Sequence, residues 1–255
     1  MKLARTPGKF VWFEHASADP KRAQAFYGEV LGWKTRSWGA YEMIFAGETP
    51  DTMVGGYVVD AKRPRWISYL SVEDVDAVAR AVAENGGRVL EGARDVPGAG
   101  RIARVSDPQG AELSLFTKEG GDPPDARRDE APPARRFFWN ELHTRDPLRA
   151  LAFYEKVLGY ERQTLEMGPA GRYHLLARGG AGRAGVSDEA EDGAHWLPYV
   201  SVDDPDATLS RARRLGAEIC TGPLDIPGVG RFGVFTDPTG ASLAVMKAIP
   251  PAGGH

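Results

Sequence analysis

Asp19–Trp33 reads DPKRAQAFYGEVLGW and Asp146–Tyr160 reads DPLRALAFYEKVLGY, with ten of the fifteen positions identical at an offset of 127 residues. Each stretch opens with an aspartate that can cap a helix and a proline suited to the first helical position. Ala23, Phe26, Tyr27, Val30 and Leu31 then follow the i, i+3, i+4, i+7, i+8 spacing of one buried helix face. Gly32 ends the helix, because it tolerates the left-handed conformation of a C-terminal cap. Further along, DVPGAGR (Asp95–Arg101) answers DIPGVGR (Asp225–Arg231), and SDPQGA (Ser106–Ala111) answers TDPTGA (Thr236–Ala241), both at an offset of 130. Several collinear blocks identify a tandem duplication, with three extra residues in the middle of the second copy.

The pattern also repeats within a copy. A strand is predicted over Phe10–Ser17, then the helix, then short strands near Trp33–Trp38, Tyr41–Ala46 and Thr52–Val58. Arg65–Val72 starts the second round, Asp74 caps a helix carrying Val75, Val78, Ala79 and Val82, and strands follow at Arg88–Val96, Arg101–Ser106 and Glu112–Phe116. Each copy is therefore two βαβββ units. Three strands after each helix exclude an alternating parallel βα fold. The class is α+β, with each copy a curved mixed sheet that carries helices on its convex side and forms a cup on the other. The copies are placed at 8–118 and 137–248, joined by a Pro-, Gly- and charge-rich linker at 119–136 that reads as extended and solvated.

The bulk composition limits the partners. Of 255 residues, 42% are hydrophobic and 26% charged, and the net charge is -3, so there is no cationic excess for nucleic acid. No apolar run approaches the roughly 20 residues of a membrane span, and MKLARTPGKF is too polar for the apolar core of a leader peptide. A cytoplasmic protein is expected. Cys220 is the single cysteine, read as a small buried hydrophobe.

The motif D-P-x-R-A-x-A-F-Y-x-x-V-L-G, the V-x-D-x-D-A start of the second helix and D-P-x-G-A before the last strand resemble the vicinal oxygen chelate superfamily, which includes glyoxalase I, extradiol dioxygenases, fosfomycin-resistance enzymes and bleomycin-binding proteins. W-x-E on the first strand resembles a two-domain glyoxalase-like or hydroxylase branch. The resemblance implies a divalent metal held by side chains on the first, fifth and last strands of a cup. Those positions fall on Trp12, Ile67 and Ser114 in copy one and on Trp139, Leu197 and Ala244 in copy two, none of which is a normal ligand. No metal or other cofactor is expected there. Metal-free members of the family resemble ligand-binding or sequestering proteins.

Trp12 and Glu14 share one face of the first strand, and Trp139 and Glu141 repeat them. A carboxylate beside a tryptophan suits a cationic or hydroxylated ligand or general-base chemistry; equally, Glu14 could pair with Arg65 on the fifth strand. Copy two adds His143 beside Glu141, and His195 on the face of Leu197 and Tyr199. Glu141, His143 and His195 are the candidate catalytic set, as an acid–base group or a displaced metal site. Copy one, with Ala16 and Arg65 at the matching positions, cannot build it. Trp12, Glu14, Arg65, Tyr69, Trp139 and Tyr199 are the candidate ligand contacts. Arg101 and Arg231, which follow the hairpin glycines, suit a structural link to Asp95 and Asp225 better than an anion site. His15 points away from Glu14, toward a helix or solvent, the direction of His174 is open, and His255 lies in a terminal tail. The leading expectation is a protein that binds an aromatic or polycyclic metabolite or drug. The alternative is a hydroxylase, isomerase or lyase acting through copy two. A monomer is expected, the two copies replacing a homodimer.

Overall fold

The computed structural model describes residues 3–125, 130–167, 171–188 and 193–250. Copy one runs β1 (Phe10–Ser17), α1 (Pro20–Leu31), β2 (Lys34–Trp38), β3 (Tyr41–Phe45), β4 (Met53–Val59), β5 (Arg65–Ser71), α2 (Val75–Glu84), β6 (Arg88–Val96), β7 (Gly100–Ser106) and β8 (Glu112–Lys118). Copy two repeats the order as β9 (Phe137–His143), α3 (Pro147–Leu158), β10 (Glu161–Glu166), β11 (Arg172–Arg178), β12 (Ala181–Ser187), β13 (His195–Ser201), α4 (Pro205–Arg214), β14 (Glu218–Ile226), β15 (Gly230–Thr236) and β16 (Ser242–Ala248). Each copy gives one eight-stranded mixed sheet, in the orders β2-β3-β4-β1-β5-β8-β7-β6 and β10-β11-β12-β9-β13-β16-β15-β14. The pairs β1/β4, β5/β8, β9/β12 and β13/β16 are parallel, and the meanders between them antiparallel. The α+β class and the doubled βαβββ order are as read from the sequence.

The helices begin where the aspartates place them. Asp19, Asp74, Asp146 and Asp204 each accept the backbone N–H three residues on, at 3.0–3.1 Å. Such a cap contributes about 1 kcal/mol. Gly32 and Gly159 close α1 and α3 at φ of 68° and 64°, a region that other residues enter at a cost.

Contacts divide the chain into two compact units, each assembled from one half of each copy. The first comprises the chain up to Trp12, Ile67–Pro124 and Trp139–Leu197; its core includes Leu70, Leu115, Leu142, Leu151, Tyr154, Leu176 and Trp196. The second comprises Phe13–Trp66, Asp125–Phe138 and the chain from Pro198, with Tyr27, Val30, Ile44, Trp66, Phe235 and Leu243 buried.

The Asp-Pro-x-Gly-Ala motif joins the two halves within each unit. In the first, Asp107 Oδ1 accepts the N–H groups of Gln109 and Ala111, and Oδ2 accepts the Tyr154 hydroxyl at 3.2 Å. In the second, Asp237 Oδ1 accepts N–H groups from Thr239, Gly240 and Ala241, while Oδ2 accepts the Tyr27 hydroxyl at 2.9 Å. Here His15 adds a fully buried ion pair, Nε2 to Asp237 Oδ2 at 2.8 Å, where the first unit has Leu142. His15 thus faces a helix, not solvent. Burial would raise the Asp237 carboxyl, but the bond and charge of His15, with the hydrogen bonds from Thr239 and Ala241, together hold the group below the usual carboxylate range. Burial raises Asp107, which has no such partner.

One expectation is corrected and another is extended. Cys220 is exposed on β14, with Sγ 3.2 Å from the Thr236 hydroxyl, because alternation along this strand turns it outward. The linker is exposed at most of its described positions, but it is tied down near both ends. Asp122 is buried and accepts from the Ser71 hydroxyl at 2.5 Å and the Thr6 N–H at 2.6 Å. Arg135 donates its N–H to Ser201 O at 2.6 Å and accepts the Trp33 indole N–H at 2.8 Å. Polar residues in the linker satisfy backbone groups at sheet ends, a role that composition alone does not reveal. Arg101 links Asp95 and also Asp76, and Arg231 links Asp225 and also Asp206, so both arginines tie a hairpin to a helix start. His255 lies outside the described residues. Among the described residues no helix is long and apolar enough to cross a membrane.

Candidate functional site

Of the candidate residues of copy two, Trp139, Glu141, His143 and His195 come together within the first compact unit, whereas Tyr199 belongs to the second. Trp139, Glu141 and His143 alternate along β9 and so share one face. Gly185, on the parallel neighbour β12, lies opposite Glu141 in register. From β11, Tyr173 reaches over that glycine and donates its hydroxyl to Glu141 Oε2 in a short hydrogen bond. The Tyr173 oxygen in turn accepts the Trp139 indole N–H at 3.2 Å. Glu141 Oε1 lies 3.0 Å from His143 Nε2. The His143 ring stacks on that of His195, at the head of β13, with centroids 5.0 Å apart and planes at 27°.

Burial gives this array its electrostatic character. Glu141 and His143 are each 9% exposed. A carboxylate so far from water is costly unless its oxygens are engaged; the Tyr173 phenol hydrogen-bonds Oε2, while the His143 imidazole lies within ion-pair distance of Oε1 without hydrogen-bond geometry at Nε2. His195 Nδ1 faces the Gly193 carbonyl at 3.0 Å. A carbonyl only accepts, so Nδ1 carries a proton and Nε2 is the basic nitrogen of the neutral ring. The arrangement sets a carboxylate, a phenol and two imidazoles side by side, groups that can recognise a ligand hydroxyl and pass protons.

Copy one repeats half of it. Tyr41 donates to Glu14 Oε1 at 2.8 Å, and Gly56 on β4 lies opposite Glu14 in register. Ala16 and Arg65 occupy the positions of His143 and His195. Arg65 binds Asp60 at 3.0 Å and the Arg63 carbonyl at 2.7 Å. Trp12 is half-buried at the start of β1. Tyr69 and Tyr199 are buried, Tyr69 edge-on to Phe116 and Tyr199 tilted against Phe232. Trp33, Trp66, Tyr160 and Trp196 are core residues, whereas Trp38 is 51% exposed. His174 is half-buried, with Nδ1 3.0 Å from the Thr164 hydroxyl.

Sequence reasoning counts Tyr41 and Tyr173 among the aromatics that could wall a pocket, but it missed their pairing with the glutamates and the part of Gly56 and Gly185. The available signal was a glycine in the interior of a strand in each copy, which marks close approach of another group. A Cβ at Gly185 would run into the Tyr173 hydroxyl, and one at Gly56 into that of Tyr41. Gly185→Ala is therefore expected to expel Tyr173 from Glu141 and to cost about 1–3 kcal/mol in urea unfolding, the range for a buried polar group left unsatisfied. An unchanged midpoint would contradict this packing.

The family model of the Glyoxalase/Bleomycin resistance protein/Dioxygenase superfamily matches residues 9–115 and 136–245. CFP32 of Mycobacterium tuberculosis, named provisionally as a glyoxylase, is 33% identical over 250 residues, covering 94% of both chains. The anthracycline biosynthesis protein DauV of Streptomyces sp. is 29% identical over 269 residues, again covering 94% of both. Among solved structures, the Mn(II)-bound glyoxalase from Novosphingobium aromaticivorans shares the fold at a TM-score of 0.65 and 19% identity, over 99% of this chain and 87% of that one. The 2,3-dioxygenase LapB from Pseudomonas sp. KL28 does so at 0.65 and 13%, over 99% and 94%.

A metal of that kind finds no fit at the positions the family implies. Trp12, Ile67, Trp139, Leu197 and Ala244 offer no metal-binding oxygen, sulfur or imidazole, and Ser114 offers only a neutral hydroxyl. Among the described residues no group of three or more His, Cys, Asp or Glu side chains is arranged to hold an ion. What replaces the metal ligands on the first strand is a tryptophan and, two residues on, a carboxylate. With matches over both copies and a relative at 33% identity along nearly its whole length, the chain belongs to the Glyoxalase/Bleomycin resistance protein/Dioxygenase superfamily.

Proposed function

We propose that this protein binds a hydroxylated aromatic or polycyclic small molecule in its second copy, with Glu141 as the recognising group and no metal at the family positions. The observation that carries the reading is the placement of the nearly buried Glu141 carboxylate between the Tyr173 phenol and the His143 imidazole, beside Trp139. A carboxylate accepts a ligand hydroxyl strongly, and an indole supplies an apolar, electron-rich face. Two relatives bear the name of anthracycline biosynthesis proteins, and anthracyclines are polycyclic hydroxylated aromatics. The assembly of each compact unit from halves of both copies supports reading the chain as a monomeric pseudo-dimer.

A second reading, an isomerase, is favoured by the two stacked imidazoles beside the same carboxylate. Glu141 would take a proton from one ligand atom while a protonated His143 or His195 returns one to another, a shift that needs no oxidant. The test is titration of EDTA-treated protein with alizarin, a dihydroxyanthraquinone, followed by tryptophan fluorescence. Saturable quenching that weakens in Glu141→Gln supports the reading; identical curves for the two proteins contradict it.

A further inference from the structure

We infer that the turn Pro133–Arg136 is a strained latch, at which the second compact unit opens locally while the matching turn of the first unit stays closed. The two turns occupy equivalent places, one ahead of each copy's first strand. In Thr6-Pro7-Gly8-Lys9 the Lys9 N–H donates to Thr6 O at 3.1 Å, and in Pro133-Ala134-Arg135-Arg136 the Arg136 N–H donates to Pro133 O at 3.4 Å. The third residue of each has a positive φ, 87° at Gly8 and 65° at Arg135. A turn of this kind favours glycine there with proline ahead of it, and the first turn has both. The second has neither. Among the described residues Arg135 is the one non-glycine with a positive φ.

The surroundings hold Arg135 in that conformation. Its N–H donates to Ser201 O, the Ser201 N–H donates to Arg136 O at 2.9 Å, and the Trp33 indole N–H donates to the Arg135 carbonyl. The first unit repeats these grips around Gly8, with Ser71 and the Tyr160 hydroxyl. What differs is the source of positive charge at the end of the neighbouring helix. In the first unit Arg178 caps α3, donating to Leu158 O at 2.6 Å, and its Cδ lies 3.0 Å from the place a Cβ on Gly8 would take. In the second unit the guanidinium comes from the turn itself: Arg135 Nη1 lies 3.3 Å from where a Cβ on Gly32 would sit, at the end of α1. Arg211 already donates to Val30 O there, at 2.9 Å. An exposed cation at a helix end shifts an equilibrium by about five-fold at most. Left-handed backbone at a non-glycine residue shifts it by about 5- to 30-fold toward the open form. The strain outweighs the contact. Because the turn leads directly into β9, it sets how firmly the strand bearing Trp139 and Glu141 is held at its start.

The test is amide hydrogen exchange of the full chain followed by NMR, corrected for intrinsic rates. The Ser201 N–H, bonded to the strained turn, is expected to exchange about 5- to 30-fold faster than the Ser71 N–H, which is bonded to Lys9 O at the glycine turn. Arg135→Ala removes the guanidinium and keeps the strain, so exchange at Ser201 should rise by no more than about five-fold. Arg135→Gly removes both, and exchange there should fall about 5- to 30-fold below that of Arg135→Ala. Exchange at Ser201 equal to or slower than at Ser71 in the parent protein overturns the inference. So does exchange at Ser201 that is the same in the alanine and glycine variants.

Discussion

Asp237→Ala is expected to destabilise the protein by about 3–5 kcal/mol, the range for removing one partner of a buried ion pair. The loss has two parts. His15, fully buried, loses its counter-ion, and Tyr27 loses its acceptor. The turn that begins the last hairpin also loses the oxygen that holds the N–H groups of Thr239, Gly240 and Ala241. Asp107→Ala, at the equivalent place in the first unit, breaks the turn and the Tyr154 bond but strands no imidazole, so about 1–3 kcal/mol is expected. Urea unfolding of the two variants side by side checks the order.

The two aspartates also differ in the sign of their pH dependence. The folded-state pKa of Asp237 is held below its unfolded value, so its contribution is present above about pH 4 and is lost as pH falls through the folded value. For Asp107 it is raised, so that contribution is complete below the unfolded value and declines as pH rises through the folded one. Asp237→Asn should accordingly flatten the acid side of the stability profile, and Asp107→Asn should not.

Glu141→Gln has the largest expected effect on function. The amide retains the shape and can still accept the Tyr173 hydroxyl, so folding should change little. What disappears is the charge. If the site only binds, affinity should fall by about 10- to 100-fold, as for one hydrogen bond to a charged acceptor. If the stacked histidines turn the ligand over, the rate should fall by roughly 10² or more while affinity changes less, since proton transfer then lacks its base. Measuring affinity and turnover on the same variant separates the two readings. His143→Gln, which keeps a side-chain donor near Glu141 Oε1, should spare binding, and paired with His195→Gln it should abolish only the second activity.

The fold was legible because its signals are local and occur twice. Asp19-Pro20 and Asp146-Pro147 state the helix starts, Gly32 and Gly159 the stops, and the repeated hairpin and Asp-Pro-x-Gly-Ala blocks fix the order of strands. Alternation along β9 likewise puts Glu141 and His143 on one face. Less of the site was readable. Tyr41 and Tyr173 lie on hairpin strands one removed from β1 and β9, and the residues they cross, Gly56 and Gly185, carry no side chain to advertise the contact. The pairing of His15 with Asp237 spans 222 residues and belongs to the packing of one copy's half on the other's, for which no sequence period exists. Cys220 was misread because a free cysteine is most often buried, whereas its strand turns it outward.

The central claim, a small-molecule site centred on Glu141 that works without the family's metal, is tested most directly by elemental mass spectrometry. The full chain would be incubated with Fe(II), Mn(II), Ni(II) and Zn(II), desalted and assayed, alongside His143→Ala and His195→Ala. The expected result is metal well below one equivalent per chain, the same in all three proteins. Near-stoichiometric retention that disappears in either histidine variant would contradict the claim and make the second copy a metal centre with displaced ligands.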